Sequence, residues 1–275
     1  FAGYAIVRPT RQLEAMARRV ASGEVRSVEP VASPTTREVQ SLSDSIVTMA
    51  RAMETRAEYV RDLALGISHE FKTPLTAIRG GAELLRDHLE EMSIDERQKF
   101  LSNILADTER LERLVRRILE LARADALTPQ GGEACDIAGA VMEAVADFRR
   151  KGLEISVGGL QAPLFASIDR ASFDIVLSNL LENARQHGGP GVSVHIVGSV
   201  AAADVTIDVS DDGVGISPGN ADRIFDRFFT TSRDSGGTGL GLAIAQQRVA
   251  TFGGSLAMVP VERGASFRIR LRTVA

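Results

Sequence analysis

The sequence predicts a multidomain chain in which long α-helices come first and an α/β sandwich follows. Three observations predict it. Apolar residues recur at helical spacing from about residue 9 to residue 127, the run Thr128-Pro129-Gln130-Gly131-Gly132 breaks that pattern, and short helical and strand-like runs alternate from 133 onward. The 275 residues suffice for one large domain or two or three small ones. Hydrophobic residues at 44% and charged residues at 25% are an ordinary globular balance, able to fill real cores. A net charge of −4 without a basic stripe leaves nucleic-acid binding no electrostatic footprint. One cysteine, Cys135, excludes an intramolecular disulfide framework and fits a reducing compartment; it reads as a small buried apolar residue.

The first seven residues are apolar and end at Arg8 and Pro9. Seven residues cannot cross a bilayer, which takes about 20. They fit the cytoplasmic end of a membrane helix, with Tyr4 and Arg8 at the interface and Arg11, Arg18 and Arg19 on the cytoplasmic side, and equally a frayed helical start. From Pro9, a residue suited to a first helical turn, Leu13, Met16, Ala17 and Val20 keep helical spacing until Gly23 stops it. Residues 24–36, with Pro30 and Pro34, read as an extended connector. A second helix starts near Arg37 or Glu38 and carries Val39, Leu42, Ile46, Met49 and Met53 at heptad-like intervals. Two such helices can pair as parallel neighbours, and neither buries its stripe alone, so oligomerisation is expected.

The helical pattern continues through Tyr59, Leu63, Ile67, Phe71, Ile78 and Leu85 with no stop before Glu90, and Pro74 is expected to kink it. Ser93 and Glu96 form a capping-box pattern. The helix after it carries Phe100, Ile104, Thr108, Leu111, Val115, Ile118 and Ala122, close to a 3.5-residue period. A long hairpin with one apolar seam per helix suits a four-helix bundle built by two chains. Beyond the linker, a helix at 136–150 precedes strands near 153–158 and 164–168, and a helix at 170–187 precedes strands at 192–198 and 203–210. A glycine-rich region, a helix from Leu240 and strands at 255–261 and 265–272 complete an α/β sandwich with mostly hairpin-linked strands and helices on one face.

Two regions carry chemistry. In the hairpin, Ser68-His69-Glu70-Phe71-Lys72-Thr73-Pro74-Leu75 sets Thr73 one helical turn from His69. An imidazole is largely neutral near neutral pH, so a ring nitrogen can act as nucleophile, and the adjacent Glu70 can orient or accept the other ring proton. A lone helix histidine is more often plain surface; a proline placed mid-helix beside it tips the balance. In the sandwich, Asn179, Asn183 and His187 form one polar stripe at i, i+4 and i+8 on an otherwise apolar helix. Side-chain amides suit Mg²⁺, which takes few protein ligands besides phosphate and water. Asp211-Asp212-Gly213-Val214-Gly215-Ile216 offers an acceptor for an amino group at Asp211 and glycines that allow close backbone approach, although hairpin turns often look alike. Gly236-Gly237-Thr238-Gly239-Leu240-Gly241-Leu242 runs into a helix, which makes a phosphate cradle of exposed N–H groups with the Thr238 hydroxyl beside it. No Gly-Lys-Ser/Thr follows, and the βαβ context of a dinucleotide fingerprint is missing. Between the two glycine segments, Ile224 to Phe229 read as an aromatic anchor and Thr230 to Ser235 as a lid.

Together these motifs resemble the sensor histidine kinases of bacterial two-component systems over nearly the whole chain. His69 to Leu75 looks like the family's phosphoacceptor box, Asn179 to Ala184 like its N box and Asp211 to Ile216 like its first glycine box. Phe225 to Phe229, with Phe228, look like its F box and Gly237 to Gly241 like its second glycine box. The resemblance implies a HAMP signal-relay module at 8–57 after a transmembrane helix end at 1–7, a dimerisation and histidine-phosphotransfer hairpin at 58–127, and a Bergerat-type ATP-binding domain at 133–275. It also implies ATP with Mg²⁺ held through Asn183, adenine read by Asp211, phosphorylation of His69, and a response-regulator receiver domain as partner to a homodimer. Thr73, in a Glu-x-x-Thr arrangement, is implied in dephosphorylating that regulator. The expected setting is the cytoplasmic portion of a cell-membrane protein. One departure stands out: the family often has Lys or Arg three residues after the metal asparagine, where this chain has Gln186. The neighbouring Arg185 points about 100° away around the helix. The rival readings are an ATP-driven clamp or chaperone of the same sandwich fold, and a degenerate signalling scaffold; the His69 box argues against the first and the glycine boxes against the second.

Overall fold

The computed structural model describes residues 2–22, 29–31, 36–126, 134–160, 163–201, 203–231 and 237–274. The stop expected at Gly23, most of the 24–36 connector, the 128–132 linker, Gly236 and most of the expected lid lie outside the described residues. Contacts divide the chain into two units, 1–69 and 70–275.

The first unit holds α1 (Ala2–Ala21) and the start of α2 (Arg37–His88). The first helix therefore begins at Ala2 and not at Pro9. Thr36 caps α2, its hydroxyl accepting from the Val39 N–H at 3.3 Å. Leu13 and Met16 pack with Val47, and Val31, Val39 and Ile46 close around them. The buried face of α2 is Ser43, Ile46, Val47 and Ala50, while Leu42, Met49 and Met53 of the expected seam are exposed. Ser43 tolerates burial because its hydroxyl accepts from the Val31 N–H at 2.9 Å, tying the connector to the helix.

The second unit takes the rest of α2 and α3 (Ile94–Ala126), then the sandwich. Pro74 is buried within α2, and the helix is continuous through it. The turn into α3 carries the expected capping box: the Ser93 N–H donates to Glu96 at 2.8 Å, and the Glu96 N–H donates back to the Ser93 hydroxyl at 3.3 Å. A Cβ at Gly81 would lie 3.3 Å from Ile104, so the missing side chain sets how closely the two helices approach.

The sandwich comprises β1 (Cys135–Asp136), α4 (Ile137–Arg150), β2 (Glu154–Gly158), β3 (Phe165–Ala166), α5 (Arg170–His187), β4 (Ser193–Ala201), β5 (Asp204–Asp211), α6 (Pro218–Ala221), α7 (Gly241–Thr251), β6 (Ser255–Met258) and β7 (Ser266–Arg272). Five strands form one sheet in the order β2-β4-β5-β7-β6, antiparallel except for the parallel pair β2 and β4. β1 and β3 make a separate antiparallel pair. Strand β6 ends at Met258, short of the expected 261, because Pro260 brings no N–H for a ladder. The expected strand at 164–168 shrinks to Phe165–Ala166. Alternate residues Val194, Ile196, Val205, Ile207, Phe267, Ile269 and Leu271 join Phe173, Val176, Leu177 and Leu180 of α5 and Val249 of α7 in one core. The pleat turns Asp208 and Arg268 away from that core, where they pair through two bonds of 2.7 and 2.8 Å.

Candidate functional site

A cleft of about 740 Å³ opens between α5, the glycine-rich loop before α7 and the carboxyl half of α3. The sequence of α5 sets its back wall. Asp169 caps the helix through the Ser172 N–H at 2.8 Å, and the apolar stripe from Phe173 to Ala184 seats it on the core. That rotation turns Asn179, Asn183, Gln186 and His187 to the cleft.

Asn179 is almost fully buried. Its Oδ1 accepts from Arg117 of α3 and lies 3.2 Å from where a Cβ of Gly241 would stand, so a side chain at 241 would press on it. Its Nδ2 is buried with no hydrogen-bond partner among the described residues. Asn183 is half-buried on the cleft wall. Burial lowers the pKa of His187, and the nearby Asp211 carboxylate pulls it part of the way back.

The glycine loop ends where α7 begins. Gly237, Thr238, Gly239 and Gly241 line the cleft at that helix start, whereas Leu240 is wholly buried and anchors the loop. Gly239 has φ +64°, and a Cβ there would stand 2.6 Å from the Phe229 nitrogen. Phe228 is the non-glycine partner in this arrangement: it sits at φ 62° and its N–H donates to the Gly239 carbonyl at 2.9 Å. Phe228 itself stands back from the cleft. Phe229 reaches it, with the Arg223 guanidinium 4.5 Å from the ring, and Phe225 anchors the segment edge-on to Phe267 at 6.3 Å.

Asp211, at the end of β5, is buried behind the cleft wall. Its carboxylate accepts from the Gly213 N–H at 3.0 Å and the Ala265 N–H at 3.2 Å. Burial still pushes its pKa above the usual carboxylate range: the two N–H bonds and His187 oppose the rise, and Asp212 adds to it. Gly215 lines the cleft and Gly213 does not.

Sequence reasoning missed several lining groups. Glu182 is one; burial works to raise its pKa, yet bonds from Arg185 at 2.5 Å and Gln186 at 2.7 Å hold it below the usual range. Arg113, Arg116 and Arg117 are others, and their i, i+3, i+4 spacing along α3 was the available signal. In the hairpin, His69 and Thr73 are both exposed, one turn apart. Glu70 is buried, its carboxylate 3.5 Å from the Arg110 guanidinium of α3. Among the described residues no cluster of three or more His, Cys, Asp or Glu side chains is arranged to hold a metal.

Residues 168–275 match the family described as "Histidine kinase-, DNA gyrase B-, and HSP90-like ATPase", and residues 59–127 match the "His Kinase A (phospho-acceptor) domain". The probable sensor histidine kinase TcrY of Mycobacterium tuberculosis is 32% identical over 262 residues, which cover 90% of this chain and 54% of TcrY. The chain carries the phosphoacceptor and ATPase domains of a histidine kinase. The signal transduction histidine-protein kinase/phosphatase MprB of Mycolicibacterium smegmatis is 33% identical over 263 residues, 91% of this chain and 52% of MprB. The chain thus spans about half the length of the curated kinases it matches. Among solved structures, full-length ShkA in complex with AMPPNP is 27% identical with a TM-score of 0.53, covering 78% of this chain and 46% of ShkA. The two matches put the exposed His69 in a phosphoacceptor segment and the sandwich side of the cleft in an ATPase-type domain of one chain.

Proposed function

We propose that this chain is an ATP-dependent protein-histidine kinase that phosphorylates its own His69 and passes the phosphoryl group to an aspartate of a response-regulator receiver domain. The observation that carries the reading is an exposed His69 inside a phosphoacceptor match, on the same chain as a cleft floored by a glycine loop at a helix start. The loop from Gly237 to Gly241 holds the phosphates through its N–H groups and the Thr238 hydroxyl, in a Bergerat-type arrangement. Asp211 takes the hydrogen bond of the adenine amino group, with Gly215 keeping the backbone clear at the cleft and Gly213 letting its turn pack on Gly188. The AMPPNP in ShkA supports a nucleotide in this cleft.

A ring nitrogen of His69 attacks the γ-phosphorus of ATP. The N–P bond forms as the bridging P–O bond breaks, and its electron pair leaves on ADP. Glu70 receives the proton that the charged imidazole sheds, and Arg110 fixes its carboxylate. In the second step an aspartate oxygen of the receiver displaces the histidine from phosphorus. Asn183 fits Mg²⁺: it lines the cleft, and a neutral side-chain amide suits an ion that takes most of its ligands from phosphate and water. When bound, the ion offsets negative charge on the transferring phosphates. Thr73, on the face of His69, positions water for dephosphorylating the regulator; the kinase/phosphatase MprB supports this half of the reading.

The same proposal makes the protein a homodimer paired through its hairpins, with 8–57 as a HAMP-like relay at the inner face of the cell membrane. No helix among the described residues is long and apolar enough to cross a bilayer. The deciding experiment is intact mass after incubation with Mg·ATP. One acid-labile, base-stable phosphate per chain is expected, absent in His69→Gln, whose nucleotide binding persists. Labelling of that variant at the wild-type level overturns the assignment.

A further inference from the structure

The proposed ATP cleft must balance a highly charged triphosphate, and its cations come from an unexpected element. Of the full cations among its described lining residues, Lys151 follows the last residue of α4, while Arg113, Arg116 and Arg117 all belong to α3 of the hairpin. Helix α5 contributes none. Gln186 is neutral and donates to Glu182 at 2.7 Å, and Arg185 is held on Glu182 by bonds of 2.5 and 3.0 Å, outside the lining. Two of the four lining cations are also committed. Lys151 lies 2.5 Å from Asp147 and over the Phe148 ring, and Arg117 binds Glu120 at 3.1 Å together with the Asn179 oxygen.

Arg113 and Arg116 differ. Each has a loose pairing one turn back along α3, with Glu109 at 3.8 Å and Glu112 at 3.7 Å, and their side chains are 47% and 64% exposed. Exposed pairs of this kind contribute little and are readily exchanged for a stronger acceptor. A guanidinium at the cleft rim finds one in phosphate, which it binds through two parallel N–H bonds. Residues 113 and 116, three apart on a helix, present their forks to one side.

We infer that Arg113 and Arg116 of α3 bind the nucleotide's phosphates and supply the positive charge that position 186 lacks. The inference rests on the nucleotide reading above and adds the group that recognises phosphate. It also links ligand to architecture: a triphosphate gripped both by the loop before α7 and by α3 stabilises their apposition by mass action.

The test is binding of AMPPNP and of adenosine to the full chain, by calorimetry, in wild type, in Arg113→Ala/Arg116→Ala and in that double variant with Gln186→Arg added. Both arginines are exposed, so the melting curve of the double variant should match the wild type. The double variant should bind AMPPNP about tenfold more weakly, in line with the loss of charge-assisted bonds, and adenosine equally well. The added Gln186→Arg should recover most of the loss. Unchanged AMPPNP affinity in the double variant overturns the inference alone, as does an equal loss for AMPPNP and adenosine. A wild type that binds no AMPPNP overturns the nucleotide reading and this inference together.

Discussion

The hairpin and the sandwich meet the same requirement, removal of apolar surface from water, in opposite ways. The sandwich does it internally: Phe173, Leu177, Ile196, Ile207 and Ile244 have no exposed surface at all. The hairpin buries Glu70 against a half-buried Arg110, while Leu75, Leu84, Leu101, Leu105 and Leu119 remain exposed along α2 and α3. A buried charge pair contributes little to stability by itself. An apolar stripe of that length on a monomer marks a surface awaiting a partner. The sandwich covers its own core, and the hairpin leaves an apolar stripe that the proposed homodimer would cover.

The sharpest test of that contrast is a cavity in the sandwich. Phe173→Ala should cost about 3–5 kcal/mol, lowering the melting of the sandwich while leaving the dimer constant unchanged. A large loss of dimer in this variant would break the separation. Leu101→Glu with Leu105→Glu should do the reverse. We expect dimer dissociation to rise about 100-fold, through charges placed in a desolvated interface, with AMPPNP affinity near wild type; sedimentation equilibrium reads the first and calorimetry the second. A dimer of wild-type strength would remove α3 from the interface.

The smallest expected effect sits at Asp211. Its folded pKa is raised by burial, so its ionisation opposes folding as pH rises from the unfolded carboxylate value through the raised one. Asp211→Asn removes that cost. The variant should melt at or above the wild-type temperature near neutral pH, yet bind nucleotide about tenfold more weakly through loss of a charged acceptor. In the wild type, nucleotide affinity should fall as acid protonates Asp211, beginning at a higher pH than an ordinary carboxylate sets. A variant with a lower melting temperature and full affinity would reverse both assignments.

What was legible in the sequence was local. The Ser93/Glu96 box, the start of α2 at Arg37 and the span of α5 each depend on residues within a turn of one another, and each appears where its pattern put it. The relay helices show where periodicity misleads. The apolar heptad pointed to Leu42 and Met49, but the buried face includes Ser43, because a hydroxyl with a backbone partner is as acceptable inside as a methyl. The parallel pairing of β2 with β4, and the antiparallel pairing of Cys135 with Ala166 in the small sheet, join segments distant in sequence and leave no periodic trace. The glycine loop and Asn183, singled out from the sequence, both line the cleft. The α3 arginines were not singled out, since a basic stripe on a charged helix looks like solvated surface until another element faces it.

The left-handed Phe228 has a bearing on how this loop can change over generations. A side-chain-bearing residue at φ 62° holds strain of about 1–3 kcal/mol, and glycine there would release it. Its N–H is meanwhile fastened to the carbonyl of Gly239, where any added Cβ would strike the backbone joining Phe228 and Phe229. The two positions are unequal as mutational targets. Position 228 is open to Gly or Asn at a gain in local backbone energy, while position 239 is closed to everything but glycine as long as the 228–229 backbone keeps its course. Replacement at 239 becomes accessible only after the 225–229 segment has moved, so variation in this loop has an order in which its steps must be taken.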